Sequence, residues 1–372
     1  METRLVSADS HVMEPPDLWL KTIGGKFGDR TPQVRQLSDR PGHWFVSPGV
    51  APYQVAHGFG LGKGGKELKE HLAKGYEAAR PSGWDPAARI EDQVTDHIAA
   101  EILYTTLGLS LFALDDAGLQ RACFSVYNDW IADYASYSPR RLYPVALISL
   151  EDIDEGTREL ERAARRGLKG AMIWSSPPAE KPYHSPEYAP FWRCAEELGM
   201  PLTLHVITDR KQGEGLKLSG AAAMFMNLMT PVHEIQKTLL SLIFYGVLER
   251  HPRLRLVVAE NDSGWMAHFM YRLDHMFEKF GAMTDERLLS MPPSEYIRRN
   301  VWVTFQDDLT GVLSTSYFGA DNFMWASDFP HTDTTWPNSV KVVEQNFAGI
   351  SDEIKRKVVF DNAVRLYAMN IE

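Results

Sequence analysis

Short apolar runs punctuate this chain at regular intervals, and each is followed by a longer stretch with helical spacing. The runs occupy residues 5–8, 101–105, 142–148, 168–174, 201–206, 254–259, 300–305 and 322–327. Their length and lack of strict alternation suit strands buried on both faces. Segments 119–136, 155–166, 188–198, 235–249 and 265–280 place apolar residues three and four apart, which predicts amphipathic helices. A last segment, 351–367, reads as a capped closing helix. Eight strands alternating with helices predict an α/β fold of the (β/α)8 TIM-barrel kind. A doubly wound open sheet is the competing arrangement, but no Gly-x-Gly-x-x-Gly turn follows the first run.

One interval breaks the rhythm. Residues 19–86 separate the first strand from the second, far longer than an ordinary connection. Glycines at positions 24, 25, 42, 58, 60, 62, 64 and 65 are interleaved there with Trp44, Phe45, Tyr53 and Phe59. An insertion after the first strand rises from the face of a barrel that carries the active site. We expect a lid that gives the pocket apolar walls, on a chain that is otherwise one barrel from 1 to 372. A surface insertion with no part in the site is the alternative.

Composition narrows the partners. With 372 residues, 44% of them hydrophobic, the chain buries a large core. A formal charge of −10 and the lack of a basic stripe argue against nucleic acid. Arg162, Arg165 and Arg166 read as the solvated face of one helix. Cys123 and Cys194 have no metal-type spacing, so a reduced, cytoplasmic protein is the default expectation. No signal peptide is visible, and the longest apolar stretch, 239–248, is too short to span a bilayer. A small-molecule substrate remains.

The chemistry lies at the ends of the apolar runs. Asp9-Ser10-His11 closes the first, and alternation along a strand puts Asp9 and His11 on one face, where both can grip one cation. His205 ends the fifth run and Asp328 follows the eighth. In a barrel the carboxyl ends of strands form the active face, and the first and last strands are neighbours. A hydrolytic metal needs three or four nitrogen and oxygen ligands and an open position for water. These four residues meet that need. A lone strand-end His is more often a hydrogen-bonded core residue; four convergent positions favour ligation.

Taken together, several motifs are specific. They are Asp9-Ser10-His11-Val12-Met13-Glu14-Pro15, His205, the stretch from Gly246 to Glu260, Gly264-Trp265, Trp325-Ala326-Ser327-Asp328-Phe329-Pro330-His331, and Trp336-Pro337. On these the chain resembles the amidohydrolase-related branch of the amidohydrolase superfamily, the branch that includes aminocarboxymuconate semialdehyde decarboxylase. The resemblance implies a distorted (β/α)8 barrel, one divalent metal held by Asp9, His11, His205 and Asp328, and a homodimer. It departs in two places: Asp9 stands where many relatives have His or Glu, and Ala259-Glu260-Asn261 replaces Ala-His-Gly at the end of strand six. More carboxylate favours harder cations, manganese or iron, or zinc in a mixed site. Glu14, Glu260 and His233 are candidate donors for one or two ions. In the bland reading Glu260 only orients a ligand and His233 caps its helix. The resemblance also gives Asp328 a proton-carrying role, with His331 contacting substrate or bracing the Asp328 loop.

The leading expectation is hydrolysis of an acyl derivative (ester, thioester, lactone or amide) of a bulky hydrophobic compound by metal-activated water. It rests on the ligand set, the missing strand-six His and the carboxylate excess. Non-oxidative decarboxylation of an aromatic or unsaturated acid is the alternative enzymatic reading. A metal-bearing barrel that binds without turnover is the third.

Overall fold

A computed structural model describes residues 4–210, 220–283 and 289–371. Eight parallel strands, β1 (Leu5–His11), β5 (Ile98–Tyr104), β6 (Leu142–Leu147), β7 (Gly170–Ile173), β8 (Leu202–His205), β9 (Leu256–Ala259), β10 (Val301–Phe305) and β11 (Phe323–Trp325), form one sheet in that order. Intervening helices cover its outside, and the sheet curls into a TIM barrel. The seam between first and last strands is drawn shut by backbone bonds: Asp328 N–H donates to Asp9 O (2.9 Å) and His11 N–H to Phe329 O (2.7 Å).

Every expected strand forms. The first runs three residues further than its apolar stretch implies, because Asp9, Ser10 and His11 are as buried as the residues before them. The expected helix 235–249 divides into Pro231–Phe244 and Val247–Arg250. Gly246 lies between them at φ 71°, a left-handed turn that glycine adopts without Cβ strain. The closing helix begins where expected, with Ser351 Oγ accepting from Ile354 N–H (3.3 Å). Side chains of Asp85, Asp116, Asp152 and Asp308 cap the helices that follow them, which fixes where each helix leaves the rim.

The insertion after β1 has structure of its own. Helix Leu18–Phe27 lies along helix Ala117–Ala135 on the barrel's flank, with the Trp19 indole donating to Cys123 O (3.0 Å). Strands β2 (Gln33–Leu37), β3 (Arg40–Ser47) and β4 (Val50–Gln54) make a small antiparallel sheet, followed by helix Gly65–Leu72. Phe45 packs on Trp19 and Phe59 on Tyr76, so much of the insertion's aromatic surface forms its own core. Both cysteines are buried and free. Among the described residues no helix is long and apolar enough to cross a membrane.

Candidate metal centre

Strand β1 carries a bulge where the chemistry starts. Ser7 pairs with Glu101 but Ser10 with Leu103, so β1 spends one residue more than its neighbour. Hydroxyls pin that bulge: Ser7 Oγ donates to Asp9 O (2.9 Å) and accepts from Ser327 N–H (2.8 Å), and Ser7 and Ser10 hydroxyls meet at 2.8 Å. The residue ahead of Asp328 is thereby tied to the strand that carries Asp9.

Five side chains then converge on one buried space. His11 Nε2 lies 3.4 Å from Asp9 Oδ1, 3.5 Å from Asp328 Oδ1 and 3.8 Å from Glu260 Oε2. His205 Nε2 lies 3.6 Å from Asp9 Oδ1 and 3.5 Å from Glu260 Oε2. These atoms, with Asp328 Oδ2, are buried and have no hydrogen-bond partner among the described residues. Orphaned buried polar atoms are individually costly, and a set of them pointing at one another is the signature of a cation site. The donors within mutual reach form two overlapping sets that share His11, one with Asp9 and His205 and the other with Glu260, Asp328 and His331. Bonds of about 2.0–2.2 Å to an ion place neighbouring donors at separations of the size seen within each.

The far sides of the ligands fix their orientation. His11 Nδ1–H donates to Thr105 O (2.7 Å) and His205 Nδ1–H to Val206 O (3.1 Å), which leaves each Nε2 lone pair facing the space. Thr304, the inward residue of β10 just below the rim, serves two donors with one hydroxyl. It donates to Asp9 Oδ2 (3.0 Å) and accepts from Glu260 N–H (3.1 Å). Glu260 and Asp328 are both held at left-handed φ, 54° and 53°, a conformation unfavourable for residues with a Cβ and typical of functional sites.

Electrostatics agree with a missing positive charge. Burial opposes ionisation of Asp9, yet His205 and His11 beside it hold its carboxyl well below the usual range. Burial likewise opposes charge on His205, and Asp9 outweighs it, moving that imidazole up. Burial, with His331 next to it, pushes His11 down to about 3. Burial first, then the neighbouring carboxylate Asp328, drives Glu260 far up; burial and then Asp9 do the same to Asp328. Three carboxyl groups crowd two imidazoles, and a divalent cation would offset the negative charge they bring together. The residues fit such an ion.

His331 stands beside this cluster. Its ring stacks on His11 with centroids 3.9 Å apart, and its Nδ1 approaches Asp328 Oδ1 to 3.0 Å without the alignment of a hydrogen bond. Thr106 Oγ1 gives its proton to Val12 O (2.7 Å), so it accepts from His331 Nε2–H (3.0 Å). Burial, then the charge of His205, takes His331 down to about 3. Its neutral Nδ1 therefore faces the Asp328 carboxyl.

Of the residues singled out in the sequence, Asp9, His11, His205, Glu260, Asp328 and His331 meet here. Glu14 and His233 do not. The Glu14 carboxylate turns away into the loop after β5, where it accepts from Leu107 N–H (2.9 Å), Gly108 N–H (3.2 Å) and the Thr105 hydroxyl. It steadies Thr105, whose carbonyl aims His11. His233 is exposed on the first turn of helix Pro231–Phe244, outside the donor set.

Sequence reading passed over Thr304, Thr105 and Thr106; strand parity alone marks Thr304 as inward. Arg89, at helical spacing from Asp92 and Asp96, reads in the sequence as a surface ion pair or a structural brace, and the structure makes it the brace. It is wholly buried and pairs with Glu101 (2.7 Å), while donating to the carbonyl of His11 (2.7 Å) and reaching that of Phe329 (3.4 Å). It braces the two ligand-bearing segments from behind.

The insertion touches the same loop. Leu61 N–H donates to Pro330 O (3.1 Å), Gly62 N–H to His331 O (3.3 Å), and Thr332 Oγ1 to His57 O (3.3 Å). A Cβ at Gly60 would lie 2.2 Å from Thr332 Oγ1, which explains a glycine at this crossing.

Comparison with known proteins places this geometry. A family model described as amidohydrolase matches residues 14–369. Gamma-resorcylate decarboxylase of Rhizobium sp. (strain MTP-10005) is 24% identical over 269 residues, covering 65% of this chain and 75% of that protein. Three further curated relatives carry the same name. Among solved structures, an amidohydrolase from Mycobacterium avium subsp. paratuberculosis K-10 superposes with a TM-score of 0.74 at 23% identity, covering 99% of this chain and 98% of that one. A 5-carboxyvanillate decarboxylase from Novosphingobium aromaticivorans DSM 12444, in complex with manganese and 4-hydroxy-3-methoxy-5-nitrobenzoic acid, gives 0.71 at 19% identity, with 99% and 96% covered. At these identities the structures speak to fold alone. The curated relatives overturn the expectation of acyl hydrolysis, because they are decarboxylases. Absence of the strand-six His does not by itself point to hydrolysis, because metal-assisted hydrolysis and decarboxylation both call for a cation and a proton-carrying group.

Proposed function

The chain belongs to the amidohydrolase family, and from that premise we propose that it is a divalent-metal-dependent decarboxylase of an aromatic or unsaturated carboxylic acid. The observation that carries this reading is the shared decarboxylase name of four curated relatives, each aligned over 65% of the chain. The buried donor set supports it.

Asp9, His11, His205 and Asp328 would hold one ion, with Glu260 as a fifth donor in place of the strand-six His. Manganese suits three carboxylates and two imidazoles. A divalent cation bound there would supply positive charge that attracts and orients the anionic oxygens of the substrate. Asp328 carries the proton. Its carboxyl delivers that proton to the carbon bearing the carboxylate; the carbon–carbon bond then breaks, its electron pair returns to the π system, and carbon dioxide leaves. Asp328 is left as carboxylate beside the His331 Nδ1, 3.0 Å away, and recovers a proton from water once the product leaves. Thr106 keeps the His331 proton on Nε2, so the bare Nδ1 is an acceptor that favours the protonated form of Asp328. The 19–86 insertion is assigned as the cover of this chamber, on the strength of its three hydrogen bonds to the His331 loop.

Manganese-loaded protein incubated with a panel of hydroxybenzoates is expected to release carbon dioxide, followed in the headspace, with matching loss of the acid. A parallel panel of esters, thioesters and lactones is expected to stay intact. Turnover of the acyl panel with no gas from any acid would reverse the reading.

A further inference from the structure

One more buried polar group lies at the rim, and the reaction above gives it no task. Gln306 directly follows β10 and is 4% exposed, yet its Nε2 has no hydrogen-bond partner among the described residues. Alternation along β10 puts it on the same face as Thr304, one step nearer the mouth. Thr304 touches Asp9 and Glu260. On one side of β10 lies β9, which ends at Ala259 just before Glu260. On the other side Ala326 N–H bonds to Phe305 O (2.9 Å), two residues before Asp328. Gln306 therefore occupies the arc of rim between two of the proposed ligands.

A buried amide donor with no acceptor is unfavourable, and such groups are kept where a ligand supplies the partner. The nearby carboxylates of Asp9, Glu260 and Asp328 point at the metal space. What the amide lacks is an oxygen that arrives from outside. An uncharged donor also suits a site whose own charge a cation already balances. We infer that Gln306 is a substrate-binding residue whose amide donates to an anionic oxygen of the acid, carboxylate or phenolate. The inference rests on the decarboxylase reading, and its test reads binding rather than turnover.

The test uses manganese-loaded protein, wild type and Gln306→Leu, with Gln306→Met as a second variant should the first fail to fold. Two coloured probes are titrated by absorbance: 4-hydroxy-3-methoxy-5-nitrobenzoate, which has a carboxylate, and 2-nitroresorcinol, which does not. Metal content and unfolding midpoint are measured beside them. The expected result is binding weaker by about tenfold or more, the loss of one hydrogen bond to a charged oxygen, with metal retained and the midpoint no lower. Weakening for both probes assigns the phenolate as acceptor, and weakening for the first alone assigns the carboxylate. Variants that bind both probes as wild type does overturn the inference and leave the decarboxylase reading standing. Loss of metal from the variant also overturns it, because Gln306 would then support the ligands. Wild-type protein that holds its metal and binds neither probe overturns both.

Discussion

Replacing Thr304 with Val tests whether the donor cluster is a metal centre held in shape from behind. The two side chains have the same outline, so packing is preserved and only the hydroxyl is lost. That hydroxyl donates to Asp9 Oδ2 at 3.0 Å and accepts from Glu260 N–H at 3.1 Å. A hydrogen bond to a charged group contributes about 1.5–3 kcal/mol. Loss of an outer partner of a metal ligand typically lowers affinity by about 10–100-fold, which is roughly 1.4–2.7 kcal/mol. The two estimates coincide, so Thr304→Val is expected to weaken manganese binding by one to two orders of magnitude, read by competition with a coloured chelator. Metal-free protein should lose about 1–3 kcal/mol in urea unfolding, because Glu260 N–H is left buried without an acceptor. Thr304→Ser should restore most of both. An affinity for Val within about twofold of wild type would refute the reasoning: Asp9 and Glu260 would then hold their positions without help.

Arg89→Met strands Glu101 as a buried charge and frees the carbonyls of His11 and Phe329, so unfolding in urea should come about 3–5 kcal/mol earlier; adding Glu101→Leu should recover most of it, and a double variant no better than the single would disprove the brace. Asp96 gives a pH signature. Burial, with Glu101 nearby, lifts its carboxyl from 3.8 to about 6 against the opposing bonds from Ser339. A raised carboxyl keeps its proton more tightly in the folded state, so its contribution is complete below its ordinary pKa and is lost as pH climbs towards 6. Asp96→Asn should therefore gain on wild type by up to about 3 kcal/mol between roughly pH 4 and 6.5, and parallel stability curves would disprove the assignment.

The scaffold was legible because each barrel strand is buried on both faces and so announces itself as an apolar run. The donors at the strand ends were legible for a related reason. Asp9, His11, His205 and Asp328 are polar residues placed where an apolar run stops, and only the mouth of a barrel makes sense of that. What could not be read is what depends on one residue's backbone. The bulge between Ser7 and Ser10 and the left-handed turns at Glu260 and Asp328 leave no mark in hydropathy. Glu14 was drawn into the ligand set by nearness in sequence. After His11 the chain instead follows the loop beyond β5, with Val12 N–H bonded to Tyr104 O (2.9 Å), and the carboxylate is carried off to that loop. The reaction was misjudged because residues that bind a cation and carry a proton do not themselves say which bond the substrate will break.

Closure of the barrel and assembly of the metal site are one structural event. Asp9 and His11 come from the first strand, Asp328 from beyond the last, and the same residues exchange the backbone bonds that shut the seam. Arg89 grips both sides through the carbonyls of His11 and Phe329, and Ser7 ties Ser327 to the Asp9 strand. In the other direction, three carboxyl groups in one buried space push apart unless a cation or protons intervene. The seam and the ion therefore each favour the arrangement the other needs. Metal binding should act as folding energy for this edge of the barrel, concentrated on β1 and the 326–335 loop rather than spread over the sheet. The insertion shares in that coupling through Leu61, Gly62 and His57, which grip the loop carrying His331. On the proposed reading, a change that loosens the insertion would reach His331 and Asp328 before it reached the other donors.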